Sequence, residues 1–458
     1  MEENLLLIDF GSTYTKLTAV DLNREVILAT AKDVTTVESD IMLGYEKALH
    51  KLREVVGDIE FNTSLACSSA AGGLKMVAIG LVPELTAEAA KRAALGAGAR
   101  VIKTYSFELS NREINEIDAM KLDMILLSGG TDGGNKKCIL HNASQLAKLK
   151  NRVPIVVAGN KSTLDEIEEI LSDYPRVVIT ENVMPRLNEI NVEPAREEIR
   201  KIFLEHIIEA KGINKTKTFI ENIMLPTPAA VLEAAKLLSQ GSEREEGIGT
   251  VVVVDIGGAT TDIHSIGKGE PTLDNVNQKG LEEPFAKRTV EGDLGMRYSA
   301  LSLYEAVEKG DIKRYLPEID VRTECEFRHS NIEFVPKSEY EISVDEGLAK
   351  LATHYSMNRH AGVIETVYTP MGSVMNQMGK DMLEFDFMIG TGGVLVHSIN
   401  PKGILSSGTF IESEPHILKP REPKFMVDER YILSAMGLLS QKHPDIAIRM
   451  MKKYLKSV

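Results

Sequence analysis

The sequence predicts an α/β protein of two similar lobes, with a parallel α/β domain inserted into the first. Three observations carry that expectation. Two distant segments repeat one strand–turn–strand design, around Asp9-Phe10-Gly11 and around Asp255-Ile256-Gly257. Between them, short apolar runs alternate with amphipathic stretches, the pattern of a doubly wound sheet. A glycine cluster, Gly390-Thr391-Gly392-Gly393, closes a further apolar run in the last quarter.

Residues 1–62 are expected to open the first lobe. Leu5-Leu6-Leu7-Ile8 is a short apolar run stopped at Asp9-Phe10-Gly11, which fits a buried strand. Residues 17–20 read as its returning partner, and a helix is expected from Ser39 to about Val56, with Met42, Leu43, Leu49 and Leu52 at helical spacing. Residues 63–222 read as the inserted domain. Its candidate strands are 64–68, 99–102, 124–128, 155–158 and 176–179, and its candidate helices 87–95, 142–149 and 164–171. Residues 223–249 are expected to form a connecting helix and a glycine-punctuated linker. Residues 250–430 then make the second lobe, starting with a strand at 250–254 and reaching the glycine cluster through another at 385–389. Within it, Ser343 and Glu346 read as a capping box for a helix that carries Val344, Leu348, Leu351, Ala352 and Tyr355 on one face. Residues 431–458 are expected to hold the closing helices.

Composition narrows the function. The 458 residues are 43% hydrophobic and 26% charged, as in ordinary globular proteins. A net charge of −14 disfavours nucleic acid or an anionic membrane as partner. It leaves room for a phosphate ligand held by backbone amides. Cys67, Cys138 and Cys325 lie far apart, so neither a disulfide framework nor a zinc cluster is expected, and a reducing cytoplasm fits. No apolar run reaches the roughly 20 residues of a membrane helix. The acidic start Met1-Glu2-Glu3-Asn4 is unlike a secretory leader.

The two repeats share their residue types. Asp9 is followed by Gly11, Ser12, Thr13, Thr15 and Lys16; Asp255 is followed by Gly257, Gly258, Ala259, Thr260, Thr261 and Asp262. Glycine lets main-chain amides approach phosphate oxygens, and Ser and Thr hydroxyls add donors. An aspartate at the strand end is a hard ligand suited to magnesium, directly or through its waters. Such hairpins face to face would hold the β- and γ-phosphates of ATP. Asp9, Asp255 and Asp262 are therefore the candidate catalytic residues, with Asp9 and Asp255 as candidate Mg2+ ligands. Gly390, Thr391, Gly392 and Gly393 are expected beside the adenine and ribose. Lys16 either reaches a phosphate or is a solvated strand residue, and Asp262 either serves the metal and water or is a plain turn residue. A single Asp-x-Gly is an ordinary strand end; its repetition points to nucleotide.

Other features read more plainly. The stretch from Glu291 to Gly295 could offer an acid to a substrate hydroxyl, yet a turn is the simpler reading. The stretch from Gly129 to Gly134, after a buried strand of the insert, reads as a second anion or partner site or as a plain glycine-rich loop, the loop being the simpler reading, and His360 reads as a polar group at a helix C-terminus.

The order of hairpin, insert, hairpin and glycine cluster resembles the actin-like superfamily of sugar kinases, acetate kinases and heat-shock ATPases, whose lobes are ribonuclease H-like. Leu225-Pro226-Thr227-Pro228-Ala229-Ala230-Val231 resembles its first connecting helix, and residues 431–439, with Ala435-Met436-Gly437, its second. One departure stands out: heat-shock ATPases carry an acid where this chain has Leu225, so water activation must come from elsewhere. A narrower resemblance is to the glutamate mutase accessory proteins called MutL or GlmL. It rests on Cys67 to Leu74, Gly80 to Ala90, Ser128 to Gly134, Glu291 to Arg297 and Arg359 to Gly362. It implies an ATP-driven reactivating chaperone that releases damaged cobalamin from an adenosylcobalamin-dependent mutase, its protein partner. A small-molecule kinase or ATP-dependent amidohydrolase-type enzyme, and a filament-forming actin relative, are the alternatives. The mutase served, any second small subunit and a homodimer are left open.

Overall fold

The computed structural model describes residues 3–11, 14–35, 41–69, 74–210, 223–370 and 372–458. Ser12, Thr13, Ser39 and the run from Ala70 to Gly73 lie outside the described residues.

The first lobe opens with β1 (Asn4–Phe10), β2 (Tyr14–Asp21), β3 (Val26–Val34) and β4 (Thr63–Ser68), with the helix Ile41–Val56 between the last two. The insert supplies β5 (Leu74–Gly80), β6 (Ala99–Ser106), β7 (Met124–Leu127), β8 (Ile155–Val157) and β9 (Val177–Ile179), and the chain then returns to the first lobe as β10 (Ile223–Pro226). The first-lobe order is β10-β4-β1-β2-β3, antiparallel across β1-β2-β3 and parallel across β1-β4-β10. The second lobe repeats this plan. Its strands β11 (Val251–Ile256), β12 (Thr261–Ile266), β13 (Val276–Lys279), β14 (Ala286–Glu291), β15 (Val363–Thr369), β16 (Gly372–Met378), β17 (Phe387–Thr391), β18 (Lys424–Val427) and β19 (Lys456–Ser457) include a sheet ordered β14-β12-β11-β17-β18-β19. The directions match strand for strand, with β19 added antiparallel at the edge. β13, β16 and β15 form a small separate sheet. Two lobes of one α/β plan are therefore present.

Period-2 alternation divides each central strand between two cores. Leu6, Ile8 and Phe10 of β1 face a core shared with the insert, whereas Leu5 and Leu7 face the connecting helices. In β11, Val252, Val254 and Ile256 face the second-lobe core, while Val251 and Val253 meet the same connecting helices. Burial on both faces explains why both strands read as unbroken apolar runs. The helices Thr227–Gln240 and Leu433–Ser440 follow β10 and β18 respectively and cross between the sheets. Thr227 and Pro228 open the first of them, where proline's missing amide costs no hydrogen bond.

The insert is a parallel sheet in the order β6-β5-β7-β8-β9, a doubly wound arrangement. Several expectations need correction. Residues 64–68, expected as the insert's first strand, pair with β1 in the first lobe. β5, the true first strand of the insert, is absent from the expected strands. The helix expected over 142–149 is Lys137–Leu146. Asn142 does not start it but sits buried inside it, accepting from the Leu109 amide and donating to the Phe107 carbonyl. The capping box is Ser338 with Glu341, one turn before the expected pair, and starts the helix Glu339–His360. Ser343 instead donates back to the Tyr340 carbonyl, and Glu346 accepts from Ser398. Among the described residues no helix is long and apolar enough to cross a membrane.

Candidate functional site: the cleft between the lobes

The two Asp-x-Gly turns close in the same way. The Gly11 amide donates to the Tyr14 carbonyl at 3.1 Å, and the Gly257 amide to the Thr260 carbonyl at 2.9 Å. A Cβ at Gly11 would lie 2.5 Å from that carbonyl oxygen, so only glycine fits the turn. The registers match too: Asp9 pairs with Lys16 and Asp255 with Asp262. A cleft of about 460 Å³ between the lobes is lined by these four residues together with Gly11, Gly257, Gly258 and Thr260. Thr391 and Gly393 line it as well.

The same register corrects two expected phosphate donors. Thr15 and Thr261 lie one residue off the cleft-facing positions, and the pleat turns them to the opposite face. Both are fully buried there: Thr15 shares a hydrogen bond with Thr35, and Thr261 donates to the Leu294 carbonyl. Ala259, Gly390 and Gly392 stand behind the lining rather than in it. The Ala259 carbonyl accepts from Ser299, and a Cβ on Gly392 would come 2.3 Å from the Ile256 carbonyl oxygen. Gly392, at φ 94°, lets the chain turn from β17 into the helix Gly393–His397 against that backbone.

The two aspartates have different surroundings. Asp9 is buried and already held, accepting from Thr227 Oγ1 at 2.7 Å and Ser434 Oγ at 3.1 Å, with Lys16 Nζ at 3.5 Å. Thr227 and Ser434 belong to the two connecting helices, so Asp9 ties the first hairpin to both. Asp255 makes no side-chain hydrogen bond among the described residues. Burial and the neighbouring Asp262 carboxylate push its acid up to about 7. Lys16 lies with Nζ 3.5 Å from the centre of the Tyr431 ring. Burial works to lower the Lys16 ammonium, but Tyr431, Asp9 and Asp255 outweigh it and hold its pKa above the usual value. Asp262 accepts from Arg288 Nε at 2.9 Å and from Thr260 Oγ1 at 2.9 Å.

The cleft is also lined by residues that no motif announces. Ile332, Phe334, Val335, Pro336 and Ile342 are its apolar lining together with Val394, and Arg297, Tyr298, Asp345, Glu346 and His397 line it as well. Asp345 holds Arg297 at 2.8 Å and the fully buried Arg328 at 2.6 Å. Arg297 in turn donates to the Phe334 carbonyl. The only early signal for this wall is the cap at Ser338, which fixes where the irregular segment enters its helix.

The remaining candidates lie elsewhere. Asp293 and Glu291 both pair with Arg359. His360 is buried between Ser265 Oγ at 2.7 Å and Thr289 Oγ1 at 2.8 Å, a satisfied polar group. In the glycine-rich loop, Asn160 and Asn182 hold Gly130, Asp132, Gly133 and Gly134 in place. All three cysteines are free and buried, and among the described residues no three His, Cys, Asp or Glu side chains gather as a metal cluster.

Comparison with known proteins follows this geometry. The MutL protein family matches residues 5–455. Protein MutL of Clostridium tetanomorphum is 59% identical over 460 residues, covering 99% of both chains. Among solved structures, nucleotide-free acetone carboxylase gives a TM-score of 0.40 at 14% identity, over 96% of this chain and 70% of that one. Gluconate kinase from Lactobacillus acidophilus gives 0.35 at 10% identity, over 100% and 93%. The family match is nearly end to end, insert included, and it coincides with the motifs quoted from the sequence: the chain belongs to the MutL family, the glutamate mutase accessory proteins.

Proposed function

We propose that the cleft binds ATP with magnesium and hydrolyses it, and that the chain uses this cycle to reactivate an adenosylcobalamin-dependent mutase in the cytoplasm. The observation that carries the reading is the pair of register-matched hairpins whose aspartates, Asp9 and Asp255, line one cleft from opposite lobes.

The residues suit the roles. Gly11, Gly257 and Gly258 carry no Cβ that would hold phosphate oxygens away from the hairpin backbone. Lys16, held cationic, supplies a point charge toward them. Asp9 and Asp255 are hard oxygen donors that line the one cleft from opposite lobes, suited to hold magnesium directly or through its waters. Magnesium, when bound there, supplies neutralisation of phosphate charge. Leu225 is buried in β10 and offers no base. Asp255, with no side-chain hydrogen-bond partner among the described residues, is the group suited to take a proton from water, directly or from a water of the metal's shell. The water oxygen then bonds to the γ-phosphorus as the bond to ADP breaks, giving ADP and phosphate. The apolar wall at Phe334 to Pro336 receives the base.

Hydrolysis would reopen the lobes about the crossed helices Thr227–Gln240 and Leu433–Ser440, and the insert would transmit that movement to the mutase and release damaged cobalamin. Phe107 and Leu187, exposed on the insert, offer apolar contact to such a partner.

The test joins inactivated glutamate mutase, the full chain, Mg-ATP and fresh cofactor. Turnover should return with ATP and fail without it or with Asp9→Ala. Absence of recovery with ATP would remove the chaperone role. Undiminished Mg-ATP affinity of Asp9→Ala and Asp255→Ala by calorimetry would remove the site itself.

A further inference from the structure

One arginine joins the candidate nucleotide site to the insert. Arg288, on β14, is 6% exposed. Its Nε and one terminal nitrogen donate to Asp262 Oδ1, at 2.9 and 2.5 Å. Its other terminal nitrogen donates to the Leu95 carbonyl at 3.0 Å and the Ala99 carbonyl at 3.3 Å. Leu95 lies in the last turn of the insert helix Glu88–Gly96, where the dipole favours a cation, and Ala99 begins β6. Thus one rigid planar fork grips the cleft-lining carboxylate with one edge and the insert backbone with the other.

The joint around it is built for close contact. Ala89, Ala90, Ala93 and Ala94 of the helix share a core with Leu281 of the second lobe. Arg92 reaches the Glu282 carbonyl at 2.6 Å and Glu283 at 2.7 Å. Arg100 lies against the Gly292 backbone so tightly that a Cβ there would sit 2.0 Å from its guanidinium. Of these three arginines, Arg288 is the one hydrogen-bonded to a cleft-lining side chain among the described residues.

We propose that Arg288 is a positioning residue that couples the docking of the insert to Asp262, so that the partner-binding domain and the phosphate hairpin respond to each other. Moving the helix away would strip the guanidinium of two acceptors and let it, and Asp262 with it, reorient beside Asp255. This rests on the reading that the cleft binds Mg-ATP. The charges facing the pair are Lys16 and Asp9 from the first lobe, Asp428 at the end of β18, and Arg288 and Glu291 of β14. Among the described residues neither ring nitrogen of His264 has a partner, and burial lowers that imidazole to about 3, so it adds no charge near neutrality.

The test compares the full chain with Arg288→Gln and Arg288→Lys by three measurements: Mg-ATP affinity by calorimetry, kcat and KM of ATP hydrolysis, and hydrogen exchange across residues 88–106 with and without Mg-ATP. Arg288→Gln cannot grip Asp262 and both insert carbonyls at once, so kcat should fall more than KM rises. Its exchange response to nucleotide should vanish while nucleotide still binds. Arg288→Lys keeps the charge, but a single ammonium cannot span both edges, so the exchange response should weaken there too. An unchanged kcat in Arg288→Gln with a full exchange response overturns the coupling and leaves the nucleotide reading standing. If Arg288→Gln does not fold, a full response in Arg288→Lys overturns the coupling alone. A parent chain that binds no Mg-ATP overturns both.

Discussion

A Cβ on Gly437 would come within 1.8 Å of the Ala230 carbonyl oxygen, so the two connecting helices cross backbone against backbone. Gly437 is in the middle of Leu433–Ser440, where glycine weakens a helix by about 1 kcal/mol relative to alanine. Helix propensity alone would make Gly437→Ala stabilising. The crossing reverses that sign, because the added methyl has no room and the helices must separate. We expect a net loss of about 1–3 kcal/mol, the usual cost of overpacking, measured by urea denaturation. Mg-ATP affinity should fall with it, since Ser434 on the same helix holds Asp9. Unchanged or improved stability would show that the crossing tolerates a side chain.

Asp255 ties stability to pH. Its acid rises from 3.8 to about 7 because burial and Asp262 disfavour its charge. Between those values the folded state holds a proton that the unfolded state has lost, so this group's contribution falls as pH rises from about 4 to 7. Asp255→Asn should lower single-turnover hydrolysis by roughly 10²–10⁴-fold. The variant should also gain stability over the parent from pH 5 to pH 8 in paired urea titrations. A stability difference that stays flat with pH would contradict the raised acid.

How much of this was legible in the sequence depends on range. Asp9 and Asp255 are announced locally, by an apolar run and a glycine that must turn. The wrong assignment of Thr15 and Thr261 follows from parity: a strand offers alternate residues to alternate faces, and only the pairing of Asp9 with Lys16 reveals which set meets the cleft. Composition cannot supply that. Residues 64–68 were misplaced for a related reason, since a parallel strand looks the same in either sheet until its neighbour is known. The apolar wall at Phe334 is irregular chain with no period to detect. Arg288 is invisible beforehand because its partners lie 26, 189 and 193 residues away. Local turn chemistry is readable; long-range pairing of charges is not.

Arg328 shows what such a distant charge can hold. It is fully buried, donates through Nε to Asp345 Oδ1 at 2.6 Å, and leaves the other carboxylate oxygen to Arg297 at 2.8 Å. Arg297 then carries the Phe334 carbonyl, and with it the apolar wall of the cleft. Arg328→Met would leave Asp345 desolvated with half its compensation, and breaking a buried pair in this way costs about 3–5 kcal/mol. Arg322, on the same helix, pairs with Glu326 in the open, with side chains 68% and 50% exposed. Arg322→Ala should therefore cost less than about 1 kcal/mol. Urea denaturation of both variants gives the comparison, and calorimetry should show weaker Mg-ATP binding for Arg328→Met alone. Equal losses in the two variants would mean that burial of the Asp345 network contributes nothing beyond an ordinary surface ion pair. Intact binding in a destabilised Arg328→Met would separate the network's structural role from the wall it supports.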